Sequence, residues 1–295
     1  MPATLACMAQ TTGPHADADG ETGGAGGYRI EPLIIPPALP GKVIVRTDAE
    51  DLHAALGADL MIHALNCVRT FGDFHMALSG GSTPLPFYRR LMIDPAFRVF
   101  PWNRTHLWIV DERRVPPNDD RCNFKHIAEY LAEHSGIPGA NVHPMHQMAD
   151  DADVAYEREL KEVLAWREKG HDRLDFVLLG MGADAHTASL FPRSPALRER
   201  KRFIVFNRGP AVTPPDRVTM TYPLLNAARF IAVLVTGEAK RETIARLLAR
   251  DAAGGACADG WGPDSAAIEQ LPIRGIKPVG GVLRWYLDEA ACPRA

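Results

Sequence analysis

The stretch Leu174–Pro192, LDFVLLGMGADAHTASLFP, carries the clearest structural signal in this chain of 295 residues. Its apolar run FVLL, at 176–179, is too short for a helix and lacks polar alternation, which predicts a strand buried on both faces. Gly180 and Gly182 follow, and glycine permits backbone angles and close approaches that side chains block. Because ligands of open parallel sheets bind beyond the carboxyl ends of the strands, this stretch predicts a functional loop after a buried strand.

That loop presents one histidine, His186, two residues after Asp184. An imidazole exchanges a proton near neutral pH, since its unperturbed pKa is about 6.5. A single loop histidine is more often an ordinary polar residue with local partners. Here the preceding strand, the glycines and Asp184, which can orient the imidazole or shape the turn, favour catalysis. The loop lacks the third glycine of the dinucleotide-binding pattern, so a nicotinamide cofactor is not expected.

Composition and charge exclude several classes of protein. The 33 basic and 36 acidic residues nearly balance, with a net charge of −3, so nothing global indicates binding to nucleic acid or an anionic membrane. The five cysteines are odd in number and form no C-x-x-C pair, which argues against a disulfide framework or a zinc site. The first 27 residues lack the features of a secretion signal, and no segment reaches about 18 consecutive apolar residues. We therefore expect a cytoplasmic protein.

Segments typical of strands and helices alternate along the chain. Further strands are predicted at Val43–Arg46, Phe74–Leu78, Thr105–Val110, Phe203–Phe206, Val218–Tyr222 and Ile231–Thr236. The alternation predicts an α/β fold with a doubly wound, mostly parallel open sheet and helices on both faces, which is Rossmann-like. A disordered or irregular extension is expected at residues 1–40, a single domain at 41–292, and a flexible loop at 251–264.

Three helices are predicted around these strands. The T-x-x-E pattern of Thr47–Glu50 indicates a capping box, and the leucines of the helix that follows share one face: Leu52, Leu56 and Leu60. The charged stretch Asp150–Lys169 predicts a long helix whose apolar stripe contains Val154, Leu160 and Leu164. A further helix is expected from Lys240 to Arg250.

A second loop at the predicted carboxyl edge is suited to an anion. Ser79–Thr83, SGGST, offers backbone N–H groups and hydroxyls beside a helix start, which Pro84 fits. A tight turn with a helix cap explains the same residues equally well. The spacing is not that of a P-loop.

Charged residues form the third loop of this edge, DERR, directly after the apolar strand that ends at Val110. Arg113 or Arg114 can bind an oxyanion through a guanidinium, and Asp111 can orient a neighbouring group. The alternative is a solvated loop with surface ion pairs. Later in the chain, Arg217 and Lys240 are candidates to complete an anion pocket, although isolated cations usually serve solubility.

Taken in order, these motifs resemble those of the 6-phosphogluconolactonase family. The matching segments are SGGSTP at Ser79–Pro84, DERRVP at Asp111–Pro116, GMGADAHTASLFP at Gly180–Pro192, RVTMTYPLLNAAR at Arg217–Arg229, TGEAK at Thr236–Lys240 and the closing LPIRGIKPVGGVLRWYLDEAA. The resemblance covers about Val43–Ala291. It departs at Ala185, where the family usually has glycine, and we expect a slightly altered loop there rather than lost activity.

The resemblance implies hydrolysis of 6-phospho-D-glucono-1,5-lactone to 6-phosphogluconate in the oxidative pentose phosphate pathway. His186 is implied to be the general base on water, with Asp184 and Arg113 as further catalytic residues. The residues implied to bind the substrate and its phosphate are Ser79, Gly80, Gly81, Ser82, Thr83, Asp111, Arg114, Asn123, Arg217 and Lys240. The expected protein is a monomer or small homo-oligomer that binds a phosphorylated sugar lactone and needs no metal or other cofactor.

Three other functions were weighed against this one. Glucosamine-6-phosphate deaminases and isomerases share the fold and loops, but they carry an HIAFNEP-like sequence where this chain has HTASLFP. A sugar-phosphate sensor in a transcription regulator would carry a helix-turn-helix, and the first forty residues lack that pattern. An inactive scaffold is disfavoured because His186 occurs together with the expected anion-binding candidates.

Overall fold

A computed structural model of the chain describes residues 35–253 and 265–294. The predicted extension at 1–40 lies outside the described residues as far as position 34, and residues 35–40 contain no helix or strand. The predicted loop at 251–264 also lies outside them, except that its first three residues continue a helix.

Ten strands and eight α-helices follow one another in the described residues. The strands are β1 (Lys42–Arg46), β2 (Phe74–Leu78), β3 (Thr105–Ile109), β4 (Asp111–Arg113), β5 (Val142–His143), β6 (Phe176–Leu179), β7 (Ile204–Arg208), β8 (Asp216–Met220), β9 (Phe230–Val235) and β10 (Val282–Asp288). The α-helices are α1 (Ala49–Phe71), α2 (Leu85–Ile93), α3 (Asn123–Ile127), α4 (Glu133–Ser135), α5 (Ala152–Leu164), α6 (Tyr222–Ala227), α7 (Arg241–Ala253) and α8 (Ser265–Gln270).

Seven of the strands form one parallel sheet in the order β1-β10-β9-β6-β2-β3-β5. Strands β2, β6 and β9 are buried along their whole length, which requires that both faces of the sheet are covered. The predicted α/β fold with a mostly parallel sheet is therefore confirmed. Two of its strands, β5 and β10, were not predicted.

The order of the strands reverses between β2 and β6. From β2 the sheet extends through β3 to β5, and from β6 it extends the other way through β9 and β10 to β1. Ligands of doubly wound sheets bind at such a reversal, beyond the carboxyl ends of the strands. The loops that follow β2 and β6 are the SGGST loop and the histidine loop, so the topology makes them neighbours.

A separate antiparallel sheet, β4-β8-β7, corrects two predictions. The predicted strands near 203–206 and 218–222 belong to it and not to the parallel sheet, and Tyr222 already starts α6. The DERR segment, predicted as a loop, begins as strand β4. An apolar run indicates that a strand exists, but it does not specify which sheet the strand joins.

Helix α1 begins with a different cap from the predicted one. Asp48, and not Thr47, is the N-cap residue, because its side chain accepts a hydrogen bond from the Asp51 backbone N–H at 2.9 Å. The predicted burial of the helix face is confirmed for all three leucines: Leu52, Leu56 and Leu60.

Helix α5 is shorter than the predicted 150–169. Of its predicted apolar stripe, Leu160 and Leu164 are buried, but Val154 is 51% exposed, and Tyr156 is buried instead. The ends of the predicted segment, 150–151 and 165–169, lie outside the helix. In the described ranges, no helix has the length and apolar character needed to cross a bilayer.

Candidate active site

The histidine loop begins where β6 ends, and Asp184 holds His186 in place. Oδ1 of Asp184 accepts hydrogen bonds from the His186 backbone N–H at 3.2 Å and from Nδ1 at 2.5 Å. Because an ionised carboxylate can only accept, Nδ1 carries the proton of the neutral imidazole. Its Nε2 therefore keeps a lone pair, and this atom has no hydrogen-bond partner within residues 35–253 and 265–294.

Two opposing effects act on the Asp184 carboxyl. Partial burial raises its pKa, but the hydrogen bonds and positive potential of His186 outweigh burial, so the pKa lies below its usual value. The carboxyl is consequently ionised at neutral pH. An ionised partner keeps the ring orientation and favours the imidazolium that forms when Nε2 takes a proton.

Close packing in the loop requires glycine at only one of its two glycine positions. A Cβ at Gly182 would lie 2.2 Å from Nδ1 of His186, whereas a Cβ at Gly180 would meet nothing within 4 Å. The close approach expected at both positions therefore holds only for Gly182. Ala185 is fully buried at φ +64°, in the region that favours glycine, and its carbonyl accepts a hydrogen bond from the Ile273 N–H at 2.9 Å.

A cavity of about 270 Å³ opens between the loops at the carboxyl edge of the sheet. It is lined by ten of the predicted residues: Ser79, Gly80, Gly81, Ser82, Thr83, Asp111, Arg113, Asn123, His186 and Lys240. The three segments SGGST, DERR and GMGADAH, which are far apart in sequence, therefore meet at one small cavity. Its size suits a single small ligand.

Arg114 and Arg217 lie beside this cavity, and neither they nor Asp184 line its wall. Arg114 donates through Nε to the Gln147 carbonyl at 3.1 Å, and its guanidinium lies 4.8 Å from the centre of the Phe206 ring. Arg217 lies directly opposite Arg113 in the β4–β8 pair and is only 5% exposed. Both line a neighbouring cavity of about 320 Å³.

Three cations of this region have no carboxylate partner in the part of the chain that the structure describes, whereas Arg114 forms an ion pair with Asp150 at 3.4 Å. Among the described residues, Arg113, Arg217 and Lys240 form no ion pair with a carboxylate. Burial lowers the pKa of Arg217 to about 10, with Asp111 partly opposing the shift. Burial also lowers the pKa of Lys240, again partly opposed by an acidic group, Asp184. Such unpaired and partly desolvated cations make the cavity attractive to an anion.

Asp111 connects two of the loops across the cavity. Its Oδ2 accepts a hydrogen bond from the Ser189 hydroxyl at 2.6 Å, and its carbonyl accepts one from Asn123 Nδ2 at 2.8 Å. The Thr243 hydroxyl braces the histidine loop from α7 by donating to the Ala183 carbonyl at 2.8 Å. Neither Ser189 nor Thr243 was predicted as a site residue, because no local pattern shows a contact between residues so far apart in sequence.

One group of possible metal-binding side chains occurs in the described residues, at the opposite edge of the sheet: Asp73, His75 and His106. Both nitrogens of His75 are already occupied, since Nδ1 accepts from Trp108 Nε1 at 3.1 Å and Nε2 donates to Asp73 at 2.9 Å. Arg167 donates to the same Asp73 carboxylate and supplies its positive charge. These hydrogen bonds do not fit a metal site.

Comparison with known proteins relates the whole domain to one family. The chain matches the family described as glucosamine-6-phosphate isomerases/6-phosphogluconolactonase over residues 47–285. It is 39% identical over 253 residues to the GDH/6PGL endoplasmic bifunctional protein of Homo sapiens, which covers 83% of this chain but 29% of that protein. This chain thus spans less than a third of the length of its human relative.

Two further relatives match over nearly their full length. A 6-phosphogluconolactonase of Nostoc sp. is 35% identical over 241 residues, which covers 80% of this chain and 91% of the relative. The crystal structure of 6-phosphogluconolactonase from Thermotoga maritima superposes with a TM-score of 0.67 at 25% identity, covering 84% of this chain and 99% of that chain.

Proposed function

The chain belongs to the glucosamine-6-phosphate isomerase/6-phosphogluconolactonase family, and we propose that it hydrolyses 6-phospho-D-glucono-1,5-lactone to 6-phosphogluconate. The observation that carries this proposal is the shared cavity: His186, held by Asp184, lines it together with the SGGST loop, Arg113 and Lys240. A general base beside anion-binding groups suits a reactive ester that carries a phosphate. The proposed setting is the oxidative pentose phosphate pathway in the cytoplasm.

His186 is the proposed general base. Its Nε2 takes a proton from water while the water oxygen forms a bond to the C1 carbonyl carbon of the lactone. The tetrahedral adduct then collapses, the bond between C1 and the ring oxygen breaks, and the ring oxygen takes the proton back from Nε2. The carboxylic acid product loses its proton to solvent. Asp184 holds the ring throughout and stabilises the transient imidazolium through the Nδ1 hydrogen bond.

The cations of the cavity have two proposed tasks. Arg113 stabilises the negative charge that develops on the carbonyl oxygen during attack. Lys240 and the N–H groups of Gly80–Thr83 bind the phosphate dianion, and Arg217 adds positive potential behind Arg113. Binding energy from the phosphate, which does not react, then orients the carbonyl against the water.

The decisive experiment follows lactone hydrolysis in wild type and His186→Ala after subtraction of spontaneous ring opening. We expect kcat to fall by about 10²–10⁴-fold in the variant, the range for loss of a general base. His134→Ala is the control, because His134 is exposed on α4 and does not line the cavity, so its rate should match wild type. Equal rates for wild type and His186→Ala would refute the general-base assignment.

The family also includes glucosamine-6-phosphate isomerases, so a second experiment tests whether the chain acts on glucosamine 6-phosphate. Incubation with glucosamine 6-phosphate should release no ammonia. Ammonia release without lactone hydrolysis would assign the chain to the isomerases and overturn the proposed reaction.

A further inference from the structure

A buried carboxylate outside the cavity connects two of its walls. Glu112 lies in β4 between Asp111 and Arg113, and it is fully buried. Because side chains alternate along a strand, its two neighbours reach the cavity while Glu112 faces the other side. There its carboxylate accepts hydrogen bonds from the backbone N–H groups of Arg113 at 2.7 Å and of Asn123 and Phe124 at 2.8 Å each.

Arg217 interacts electrostatically with this carboxylate but forms no ion pair with it. Within the described residues, Glu112 has no Lys or Arg ion pair, and its fourth hydrogen-bond donor is the Cys122 thiol at 3.4 Å. Burial raises the pKa of Glu112, and the three backbone N–H groups oppose that shift. A buried carboxylate fixes the path of the chain that supplies its donors, and three of the four donors to Glu112 lie in the segment 121–124.

The segment 121–124 in turn holds two parts of the cavity wall. The Arg121 carbonyl accepts a hydrogen bond from the Arg113 guanidinium at 2.6 Å. The Asn123 side chain packs so closely against Gly80 that a Cβ there would lie 2.0 Å from Oδ1. Any shift of this segment therefore moves the Arg113 guanidinium and the contact beneath the SGGST turn together.

We propose that Glu112 is a positioning residue for anion binding: it anchors residues 121–124, which hold Arg113 and the SGGST turn in place for a phosphate group. Glu112 itself lines no part of the cavity. The identity of the natural ligand rests on the proposed function, but the positioning role applies to any phosphate bound at this site. It can therefore be measured without catalysis.

The test is the dissociation constant of inorganic phosphate, measured by calorimetry well below the Tm of each protein. Glu112→Gln keeps the shape of the side chain, but its amide NH₂ turns one accepting position into a donor, so at least one N–H of the segment loses its partner. We expect Kd to rise about fivefold or more. KM for the phosphorylated lactone should rise in parallel.

Glu199→Gln is the matched control. The Glu199 carboxylate also accepts three backbone N–H groups, from Arg200, Lys201 and Arg202, at 2.7–3.0 Å, but it does not line the cavity. This variant should leave the phosphate Kd unchanged within about twofold, the scatter expected when no contact of the ligand is altered. A similar loss of affinity in both variants would show that the effect is not specific to Glu112 and would overturn the proposal.

A lowered Tm with an unchanged phosphate Kd in Glu112→Gln would reduce Glu112 to a purely structural residue. If that variant does not fold, Asn123→Ala tests the same connection, and an unchanged Kd there overturns the proposal. So does a wild-type protein that binds no phosphate. Absence of lactone hydrolysis in a protein whose phosphate Kd responds to Glu112→Gln would refute the proposed function alone.

Discussion

The two edges of the parallel sheet both concentrate histidines and charged side chains, but they differ in how these groups are partnered. At the amino edge, Arg167 is buried and donates to both the Asp73 and Asp175 carboxylates, while both nitrogens of His75 are bonded. At the carboxyl edge, Arg113 and Lys240 have no acidic partner among the described residues.

This contrast separates a structural cluster from a binding site. A buried network whose members all satisfy one another stabilises the fold and offers nothing to a ligand. A cavity whose cations and whose imidazole Nε2 have no partner among the described residues leaves these interactions to be completed by a bound molecule. Burial and charge alone would not distinguish the two edges, because a buried arginine lies at each of them, Arg167 at the amino edge and Arg217 at the carboxyl edge.

The largest effect is expected at the amino edge. Arg167→Met leaves the Asp73 carboxylate buried without an arginine partner and leaves Asp175 with Arg229 alone, so we expect a loss of about 3–5 kcal/mol in the free energy of unfolding. Denaturant titration measures it, and kcat/KM per folded molecule should not change. The exposed pair Arg198–Glu269 supplies the control, since Arg198→Met should cost about 1 kcal/mol or less. Equal losses in both variants would contradict the assignment of a stabilising network.

The opposite outcome is expected at the carboxyl edge. Lys240→Met removes a half-buried cation without an acidic partner, so the Tm should stay equal or rise. KM for the phosphorylated lactone should increase about tenfold through loss of a charge-assisted contact. Unphosphorylated glucono-1,5-lactone serves as the control substrate, with an unchanged KM. If the Tm of Lys240→Met fell as much as that of Arg167→Met, the proposed difference between the two edges would be wrong.

The smallest effect concerns acid stability of the amino edge. Burial, reinforced by His75 and His143, lowers the pKa of His106 to about 3. Burial also lowers the pKa of His143, although its hydrogen bond to Glu159 at 2.6 Å opposes the shift. Below about pH 6.5 the unfolded chain therefore binds more protons than the folded one, and stability should fall as the pH drops.

His106→Gln isolates this contribution. The Tm of wild type should fall between about pH 7.5 and about pH 5, and the fall should be smaller in the variant, which has one titrating group fewer. Identical slopes in thermal melts of the two proteins would show that His106 does not contribute to acid sensitivity.

Much of the site was predictable because its signals are local. The histidine loop and the SGGST loop each follow a run of apolar residues, and the SGGST residues line the cavity together with part of the histidine loop, including His186. Asp111 and Arg113 line the same cavity, but they belong to strand β4, which pairs with β8, and not to a loop as predicted. That pairing places Arg217 directly opposite Arg113.

Other features depend on contacts between distant parts of the chain. In the sequence, Glu112 is one of four consecutive charged residues, DERR. Only the path of residues 121–124 shows that its carboxylate is buried and hydrogen-bonded. Ser189 is 78 positions from Asp111, so its hydrogen bond leaves no spacing signal. Val154 fits the apolar stripe of a helix but is exposed, because a periodic pattern does not show which side of the helix packs against the rest of the protein.

The chain alone was sufficient to specify the parallel α/β architecture and the chemical groups of the site, since hydrophobic runs, glycines and charged motifs act over a few residues. Tertiary structure was needed to establish that β2 and β6 are neighbours, that the antiparallel sheet is separate, and which charges remain unpaired. The physical reason is that hydrogen bonds and ion pairs form only between groups that are close together in three dimensions. Arg167 and Lys240 are both basic residues, and the sequence does not distinguish their roles. Only their surroundings make one a structural residue and the other a candidate ligand contact.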